Sequence, residues 1–359
     1  MTDPLLSIRE LRVRFDTDEG VVQAVDGVSF DVERGETVCV VGESGSGKTV
    51  ACESVTRLIP MPPGEIAGGE ILFDGEDLTE ASEKRLESIR GGRIAHVFQN
   101  PQSALNPVYP IGAQIVEAIR LHRDVSKQAA RDRAIDLLDR VGIPEATARV
   151  DDYPHEFSGG MKQRVVIAMA LAADPDLLVA DEPTTALDVT IQAQILRLLR
   201  DLQAEFGMSI VFVTHDLGVV AEIADRVVVM YAGRVMETGS VHDVFDRPSH
   251  PYTKALLDCL PGQGQSMRPI GGTLPDLKQP PAGCRFHPRC PHATADCRTG
   301  THPELLPVGS GHDAACVYYG PGYDSTVIRG ESVSESRAAD GGDAVADSDS
   351  DHDTTGGDC

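Results

Sequence analysis

The chain has 359 residues, with 56 acidic against 32 basic side chains and a formal net charge of −24 at pH 7. Its length exceeds what one hydrophobic core usually serves, so we expect two domains and appendages. The acidic balance disfavours nucleic acid as a partner, because phosphate backbones are bound by clustered lysines and arginines. It is typical of a protein kept soluble at high salt, which predicts a halophilic source, with an acidic mesophile as the alternative.

Strand-like and helical patterns alternate along the chain, which predicts an α/β fold with a largely parallel core. Apolar runs predict strands at residues 6–13, 21–32, 37–41, 70–75, 94–98, 177–180, 209–213, 227–230 and 234–237. Helical spacing predicts helices from the glycine-rich loop to about residue 58, at 80–90, across an insert between 111 and 140, and at 190–205. No internal repeat and no second phosphate loop is found, so one nucleotide domain is expected.

The sequence shows no N-terminal signal and no apolar run of the roughly 18 residues that cross a bilayer. We therefore expect a cytoplasmic protein that reaches a membrane only through partners. Eight cysteines in a reducing compartment are not expected to form structural disulfides, so their positions are informative.

Residues 42–49 read GESGSGKT and match the pattern G-x-x-x-x-G-K-[ST] at every fixed position, between an apolar strand and a helix. The glycines let backbone N–H groups point at phosphates, and the positive end of the helix adds to the field. The lysine supplies charge for the β- and γ-phosphates, and the threonine hydroxyl suits Mg²⁺. The predicted ATP contacts are Gly42, Glu43, Ser44, Gly45, Ser46, Gly47, Lys48 and Thr49.

Residues 157–161 read FSGGM and lie between this loop and an acidic pair at 181–182. A serine and two glycines that open a helix form a second anion site, although alone they are more often a plain helix cap. In this position the segment resembles the LSGGQ signature of ABC ATPases, with departures at its first and fifth residues. The resemblance implies a P-loop NTPase core of ABC type with an antiparallel β subdomain, a helical subdomain at about 100–164, and a head-to-tail dimer with two composite sites.

The same resemblance implies roles for single residues. Glu182 is the general base for the attacking water, His215 is the switch histidine that orients it, and Asp188 belongs to the D-loop. Phe15 stacks on adenine, with plain core packing as the alternative. The implied catalytic residues are Glu182, His215, Gln99 and Lys48. The further nucleotide contacts are Phe15, Gln99, Asp181, Ser158, Gly159, Gly160 and Asp188, and the Mg²⁺ ligands are Thr49, Gln99 and Asp181.

Three further stretches resemble the oligopeptide and dipeptide importer branch: residues 98–107 (FQNPQSALNP), 153–161 (YPHEFSGGM) and 250–257 (HPYTKALL). The resemblance, over about residues 5–320, implies an ATP-hydrolysing subunit at the cytoplasmic face of the cell membrane that powers peptide import. Its implied partners are two transmembrane permease subunits, a second ATPase subunit and, indirectly, an extracytoplasmic peptide-binding protein. An importer of nickel or another small solute, a soluble ABC ATPase and a regulatory subunit that does not hydrolyse ATP are the alternatives.

Four cysteines follow in a loop-like region: Cys284, Cys290, Cys297 and Cys316. A region too small to form a large hydrophobic core needs another source of stability, such as a bound metal. Four thiolates suit Zn²⁺ or an iron–sulfur cluster. Their spacing lacks the paired C-x2-C knuckles usual for zinc. Some peptide-importer ATPases with a similar C-terminal pattern bind a [4Fe–4S] cluster, so we predict that cluster. Zn²⁺ and unliganded or disulfide-bonded cysteines are the alternatives.

Composition predicts three parts of the chain. Residues 1–261 form the nucleotide-binding domain and residues 262–323 a small Cys-rich domain that holds the metal or cluster. From Asp324 onwards the sequence lacks Leu, Phe, Trp, Tyr and Met, while Asp, Gly and Ser dominate. Such a composition cannot bury enough surface to fold, so residues 324–359 are predicted to be a disordered acidic tail.

Overall fold

The computed structural model describes residues 3–185, 187–260 and 270–329. Within these ranges the strands are β1 (Leu6–Thr17), β2 (Gly20–Val32), β3 (Thr37–Val41), β4 (Gly64–Phe73), β5 (Glu76–Asp77), β6 (Ile94–Val97), β7 (Leu177–Asp181), β8 (Ser209–Thr214), β9 (Arg226–Tyr231), β10 (Arg234–Ser240), β11 (Leu306–Gly309) and β12 (His312–Ala314). The α-helices are α1 (Lys48–Ser54), α2 (Glu83–Ile89), α3 (Pro101–Ala104), α4 (Ile111–His122), α5 (Lys127–Arg140), α6 (Ala146–Arg149), α7 (Gly159–Ala170), α8 (Val189–Phe206), α9 (Leu217–Ile223), α10 (Val241–Asp246), α11 (Pro251–Leu257) and α12 (Thr326–Arg329).

The main sheet has the strand order β11-β12-β10-β9-β3-β8-β7-β6. Neighbouring strands from β9 to β6 run parallel, and β10, β12 and β11 continue the sheet in antiparallel pairs. The prediction of a largely parallel α/β core is confirmed. Because β3, β7 and β8 are parallel, their carboxyl ends meet at one edge, where open α/β sheets bind their ligands.

Strand β3 explains how the sheet is covered on both faces. All five of its residues are buried. Val38 and Val40 pack into a core shared with the antiparallel sheet, whereas Cys39 and Val41 pack into a core shared with α4, α5 and α7. Side chains alternate between the two faces of a strand, so a continuously apolar sequence is what a doubly covered strand requires.

Two accessory parts flank the main sheet, as the sequence predicted. Strands β2, β1, β4 and β5 form an antiparallel sheet. Helices α4 and α5 form the predicted helical insert, and Ile115, Ala134 and Leu137 on them are buried. The apolar spacing of the insert therefore marks the helix faces that pack into the core.

The cysteine-containing region shares the main sheet. Strand β12 pairs with β10, with Ala314 opposite Glu237. The buried Glu237 carboxylate accepts hydrogen bonds from the backbone N–H groups of Ser249 and His250, both at 2.8 Å, and lies 2.7 Å from Nε2 of His312. These bonds join β10, the start of α11 and β12, so the region predicted to be a second domain is built onto the edge of the main sheet.

The boundary between the predicted nucleotide-binding and Cys-rich domains, and most of the predicted acidic tail, lie outside the described residues. The boundary between residues 261 and 262 lies there, as do residues 330–359 of the predicted acidic tail. The first residues of that predicted tail form α12, on which Ile328 is buried. Among the helices that the structure describes, none is long and apolar enough to cross a membrane.

Candidate nucleotide site

The glycine-rich loop connects β3 to α1 at the edge where the parallel strands end. Gly42 has a φ of 154° and Gly47 a φ of 96°. A Cβ atom would lie 2.1 Å from the carbonyl oxygen of Met230 at Gly42, and 2.3 Å from that of Ala24 at Gly47. The loop is packed so closely on its neighbours that only glycine fits at these two positions.

Two side chains of the loop present polar groups suited to an anion. Nζ of Lys48 donates hydrogen bonds to the carbonyl oxygens of Gly42 and Glu43, at 2.8 and 3.0 Å. Burial lowers the pKa of Lys48, although the carboxylates of Glu182 and Asp181 act to raise it. In the described part of the chain, Oγ of Ser46 is buried without a hydrogen-bond partner. A phosphate group would satisfy such donors, so the loop fits the triphosphate of ATP.

A cavity of about 630 Å³ opens over this loop. The lining combines most of the glycine-rich loop with residues from the ends of β7 and β8 and from the C-terminal region. Its lining residues are Ala24, Gly42, Glu43, Ser44, Gly45, Gly47, Lys48, Thr49, Val50, Gln99, Glu182, Thr185, His215, Leu256 and Leu277. The structure therefore brings Gln99, Glu182 and His215 to the predicted phosphate loop.

The Glu182 carboxylate is the centre of a hydrogen-bond network at the end of β7. Its Oε1 lies 2.9 Å from Nδ1 of His215, and its Oε2 accepts hydrogen bonds from Nε2 of Gln99 and Oγ1 of Thr185, both at 2.9 Å. Burial raises the pKa of Glu182, but the hydrogen bonds from His215 and Thr185 and the nearby charges outweigh it, so the pKa is lowered. The carboxylate is held ionised and oriented, as a proton acceptor must be.

The backbone of Glu182 is itself unusual. It has a φ of 45°, in the left-handed region that residues other than glycine rarely adopt. Its N–H donates to the carbonyl oxygen of Val213 at 2.9 Å, which ties this conformation to β8. Such strain is typical of functional positions, because the surrounding structure has to hold it in place.

Asp181, the last residue of β7, suits Mg²⁺. Its carboxylate is hydrogen-bonded to Thr49, while its Oδ1 is buried with no hydrogen-bond partner among the described residues. Burial raises the pKa of Asp181 and Glu182 adds to this, against the effects of Thr49 and Lys48. An unpaired carboxylate oxygen beside a threonine hydroxyl is the hard oxygen donor set that Mg²⁺ prefers.

The second predicted anion site lies elsewhere on the surface. Ser158 is exposed and caps α7, accepting a hydrogen bond from the N–H of Met161 at 3.4 Å. Asp188 caps α8 through the N–H groups of Thr190 and Ile191, at 3.1 and 3.0 Å. None of Ser158, Gly159, Gly160 and Asp188 lines the described cavity. Within one chain these residues do not reach the phosphate loop.

Phe15 is also not among the residues that line the cavity over the glycine-rich loop. It stands opposite Gly64 in the antiparallel sheet and is half-buried, and a Cβ at Gly64 would lie 2.9 Å from its ring. Its stacking on adenine stays a prediction. Leu277 does line the cavity, and its position was not predicted because no local pattern links it to a loop more than 200 residues earlier.

The four C-terminal cysteines come within electrostatic range of one another. Burial raises the pKa of Cys316 to about 12, and the other three thiols act in the same direction. Burial also raises the pKa of Cys284 to about 12. Among the described residues, Cys284, Cys290, Cys297 and Cys316 form no disulfide. Among the described residues no three His, Cys, Asp or Glu side chains are arranged to hold a metal ion, so the arrangement does not fit a cluster as it stands.

The site combines a phosphate loop, a pair of carboxylates at the end of a strand, and a histidine and a glutamine that are hydrogen-bonded to the second carboxylate. These features define an ATP-hydrolysing cassette of the ABC class. Residues 25–185 match the family model described as "ABC transporter", and residues 236–297 match "Oligopeptide/dipeptide transporter, C-terminal region". The chain belongs to the family of ATP-binding proteins of oligopeptide and dipeptide ABC transporters.

Three relatives of known name are similar to this chain over most of its length. The oligopeptide transport ATP-binding protein OppD of Bacillus subtilis is 54% identical, over 80% of this chain and 82% of its own length. The dipeptide transport ATP-binding protein DppD of the same species is 51% identical, over 82% and 89%. DppD of Escherichia coli is 48% identical, over 88% and 96%.

Solved structures agree with the fold. A dimeric ATP-binding cassette in a post-hydrolysis state with ADP and Pi is 28% identical, with a TM-score of 0.59, over 66% of this chain and 98% of that one. CbiO1 of Clostridium perfringens, part of an ABC transporter complex, is 29% identical with a TM-score of 0.59, over 68% and 92%.

Proposed function

We propose that this chain hydrolyses ATP to power the import of dipeptides or oligopeptides, as the ATPase subunit of an ABC transporter at the cytoplasmic face of the cell membrane. The observation that carries the proposal is the network on Glu182 beside the phosphate loop. The peptide substrate is supported by the 48–54% identity to dipeptide and oligopeptide transport ATP-binding proteins.

Each residue of the network has a proposed role in the in-line attack of water on the γ-phosphate. Glu182 accepts the proton of the water, while His215 and Gln99 keep its carboxylate oriented. Lys48 compensates charge on the β- and γ-phosphates. Thr49, Asp181 and Gln99 are the residues that would hold Mg²⁺, which supplies further charge neutralisation at the phosphates.

A head-to-tail dimer accounts for the exposed second anion site. Ser158 and Gly159 are exposed, and a Cβ at Gly159 would meet no atom within 4 Å. We propose that these residues, with Gly160 and Asp188, complete the site of a partner ATPase. The Gly159→Arg substitution should then abolish the ATP-dependent dimer of the Glu182→Gln chain in light scattering, without lowering its melting temperature. An unchanged dimer would contradict this arrangement.

The proposed partners are two permease subunits, a second ATPase subunit and, through the permeases, an extracytoplasmic peptide-binding protein. The test uses a strain that lacks this chain and is complemented with the parent or the Glu182→Gln variant. Uptake of a labelled dipeptide, a labelled tetrapeptide and ⁶³Ni²⁺ is measured in each. We expect the parent alone to restore peptide uptake. Restored nickel uptake without peptide uptake would establish the small-solute alternative. If neither peptide uptake nor nickel uptake depends on this chain, it is an ATPase without a role in transport of these solutes.

The [4Fe–4S] cluster stays a proposal, with Zn²⁺ as the alternative. Free cysteines in electrostatic range support it, whereas the lack of a three-ligand arrangement among the described residues opposes it. Iron, zinc and labile sulfide are measured per chain after anaerobic purification, with Cys316→Ser as the control. Iron and labile sulfide present in stoichiometric amounts in the parent, and lost in the Cys316→Ser variant, would support the cluster. Absence of both metals would leave four free thiols.

The division into residues 1–261, 262–323 and 324–359 is also a proposal. It is supported by the change in composition after residue 261 and by the absence of Leu, Phe, Trp, Tyr and Met from 324 onwards. Limited proteolysis with mass spectrometry tests it, since cleavage should concentrate near 261 and beyond 329. Cleavage first within residues 1–260 would contradict these boundaries.

A further inference from the structure

The side chain of Arg289 joins the cysteine region to the phosphate loop. Its Nη1 donates hydrogen bonds to both carboxylate oxygens of Glu43, at 2.9 and 3.0 Å, and to the hydroxyl of Tyr231 at 3.2 Å. The Arg289 side chain is only 5% exposed. Glu43 is the second residue of the glycine-rich loop, and Arg289 is the neighbour of Cys290. An ion pair with a buried guanidinium and a partly exposed carboxylate therefore connects two regions that lie 246 positions apart.

Arg289 is fixed on its own side as well. Its Nε donates to the carbonyl oxygen of Gly271 at 2.8 Å, and its Nη2 to that of Ile270 at 3.2 Å. Its guanidinium lies 5.6 Å from the centre of the Tyr231 ring and 6.0 Å from that of Phe286. Because five hydrogen bonds and two ring contacts hold the planar group, a shift of the chain around Arg289 has to move the Glu43 carboxylate or break its bonds.

Glu43 is held at its backbone too. Its N–H donates to the hydroxyl of Tyr252 at 2.9 Å. The Tyr252 ring packs on Tyr231 and Phe286, with ring centres 4.6 and 5.2 Å apart. The start of the phosphate loop thus rests on an aromatic group to which the cysteine region contributes Phe286.

The same region also forms part of the cavity wall. Leu277 lines the cavity, and its carbonyl oxygen accepts a hydrogen bond from the N–H of Gln23 at 3.0 Å. A Cβ at Gly45 would lie 3.4 Å from Cδ2 of Leu274. Residues 270–290, which we call the C-terminal strap, therefore touch the nucleotide site at two places besides Arg289.

We propose that Arg289 is a positioning residue for ATP binding, and that the C-terminal strap and nucleotide occupancy are linked through its ion pair with Glu43. The inference rests on the proposed ATPase function and adds a regulatory input to that site. Linkage is reciprocal: whatever displaces the Arg289 guanidinium from Glu43 changes the affinity for ATP, and bound ATP stabilises this ion pair and the chain around Arg289.

The first test measures the Kd of a fluorescent ATP analogue with Mg²⁺, together with the melting temperature. Arg289→Gln and Glu43→Gln should each weaken binding about tenfold, within the usual range of coupling between sites. The double variant should be no weaker than either single one, because both changes remove one ion pair. Glu43→Gln keeps all the other contacts of Arg289, so it remains informative if Arg289→Gln fails to fold.

The matched control is Arg285→Gln. Arg285 lies in the same strap, its side chain is 6% exposed, and it is paired with Asp26 of β2 rather than with the phosphate loop. We expect this variant to lower the melting temperature and leave the Kd unchanged. If Arg289→Gln changes the Kd no more than Arg285→Gln does, the role of Arg289 is structural and the inference is wrong. A parent chain that binds no ATP would instead overturn the proposed function.

The second test follows hydrogen exchange at residues 284–290, where N–H groups of His287, Arg289 and Cys290 donate within the strap. A slowly hydrolysed ATP analogue should slow their exchange in the parent. It should have a markedly smaller effect in Glu43→Gln at saturating analogue, because the connection to the phosphate loop has been weakened. Equal protection in both chains, or none in the parent, would contradict the linkage.

Discussion

Glu182 holds a left-handed backbone conformation and three side-chain hydrogen bonds at once. The backbone conformation is rare for residues other than glycine, and together with the three hydrogen bonds it places one carboxylate in a single orientation beside the phosphate loop. The side chain is 14% exposed, so it lies close to water without being free in it. This combination supports the proposed role of Glu182 as the base and is absent from Asp188, whose carboxylate caps α8.

The Glu182→Gln substitution tests this role most directly. It keeps the shape of the side chain and removes the proton acceptor, so kcat for ATP hydrolysis should fall by about 100-fold to 10,000-fold. ATP binding should persist, because the phosphate loop is untouched. Steady-state hydrolysis and equilibrium binding are measured on the same preparation, and a variant that hydrolyses ATP as fast as the parent would rule out Glu182 as the base.

The pH dependence of kcat should report the neighbours of Glu182. Because its pKa is lowered in the folded protein, activity should persist as the pH falls until the carboxylate is protonated below its usual range. Both His215→Ala and Thr185→Val remove a hydrogen bond that lowers this pKa, so each should move the acidic limb to higher pH. Rate profiles between pH 4 and 8 give the comparison. An unshifted limb in both variants would mean that another group controls it.

At the scale of elements, the buried parallel strands and the longer helices could be predicted because they leave strong local patterns, whereas the short strands β5, β11 and β12 were not predicted. The contacts that complete the nucleotide site could not be predicted either. Leu277 and Arg289 lie in a Gly- and Pro-rich region without periodicity, and only the fold brings them to the loop. The strand predicted at residues 6–13 extends to Thr17 and so includes Phe15, whose ring packs beside Gly64 and not along the cavity among the described residues.

The junction of β10, α11 and β12 should be sensitive to the loss of a single carboxylate. Glu237→Ala leaves two buried backbone N–H groups and His312 without their acceptor, which should lower the free energy of unfolding by about 3 kcal/mol. Urea denaturation measures it. Glu87→Ala, on the exposed side of α2, is the control and should change stability by less than about 0.5 kcal/mol. If Glu237→Ala and Glu87→Ala change the free energy of unfolding equally, the buried carboxylate contributes no more to stability than an exposed one.

At the scale of the whole molecule, the charge of −24 is unusual for a chain of this length. Self-repulsion of acidic groups destabilises a compact state, and salt screens it. The melting temperature should therefore rise between 0.1 and 2 M KCl. Replacing KCl with an uncharged osmolyte at equal osmolality separates screening from solute exclusion. A flat or falling melting temperature in KCl would remove the argument for adaptation to high salt.

The attachment of β12 to β10 has a consequence for how the protein is made. Ser240 ends β10 and His312 begins β12, so the ribosome adds 71 residues between the two strands. At about 5–20 residues per second this takes roughly 4–15 s. Throughout that interval the nascent chain carries β10 as an open sheet edge, and unpaired edges are where chains associate wrongly. Slowing translation within this stretch should increase the share of newly made protein that aggregates, whereas slowing it beyond residue 329 should not.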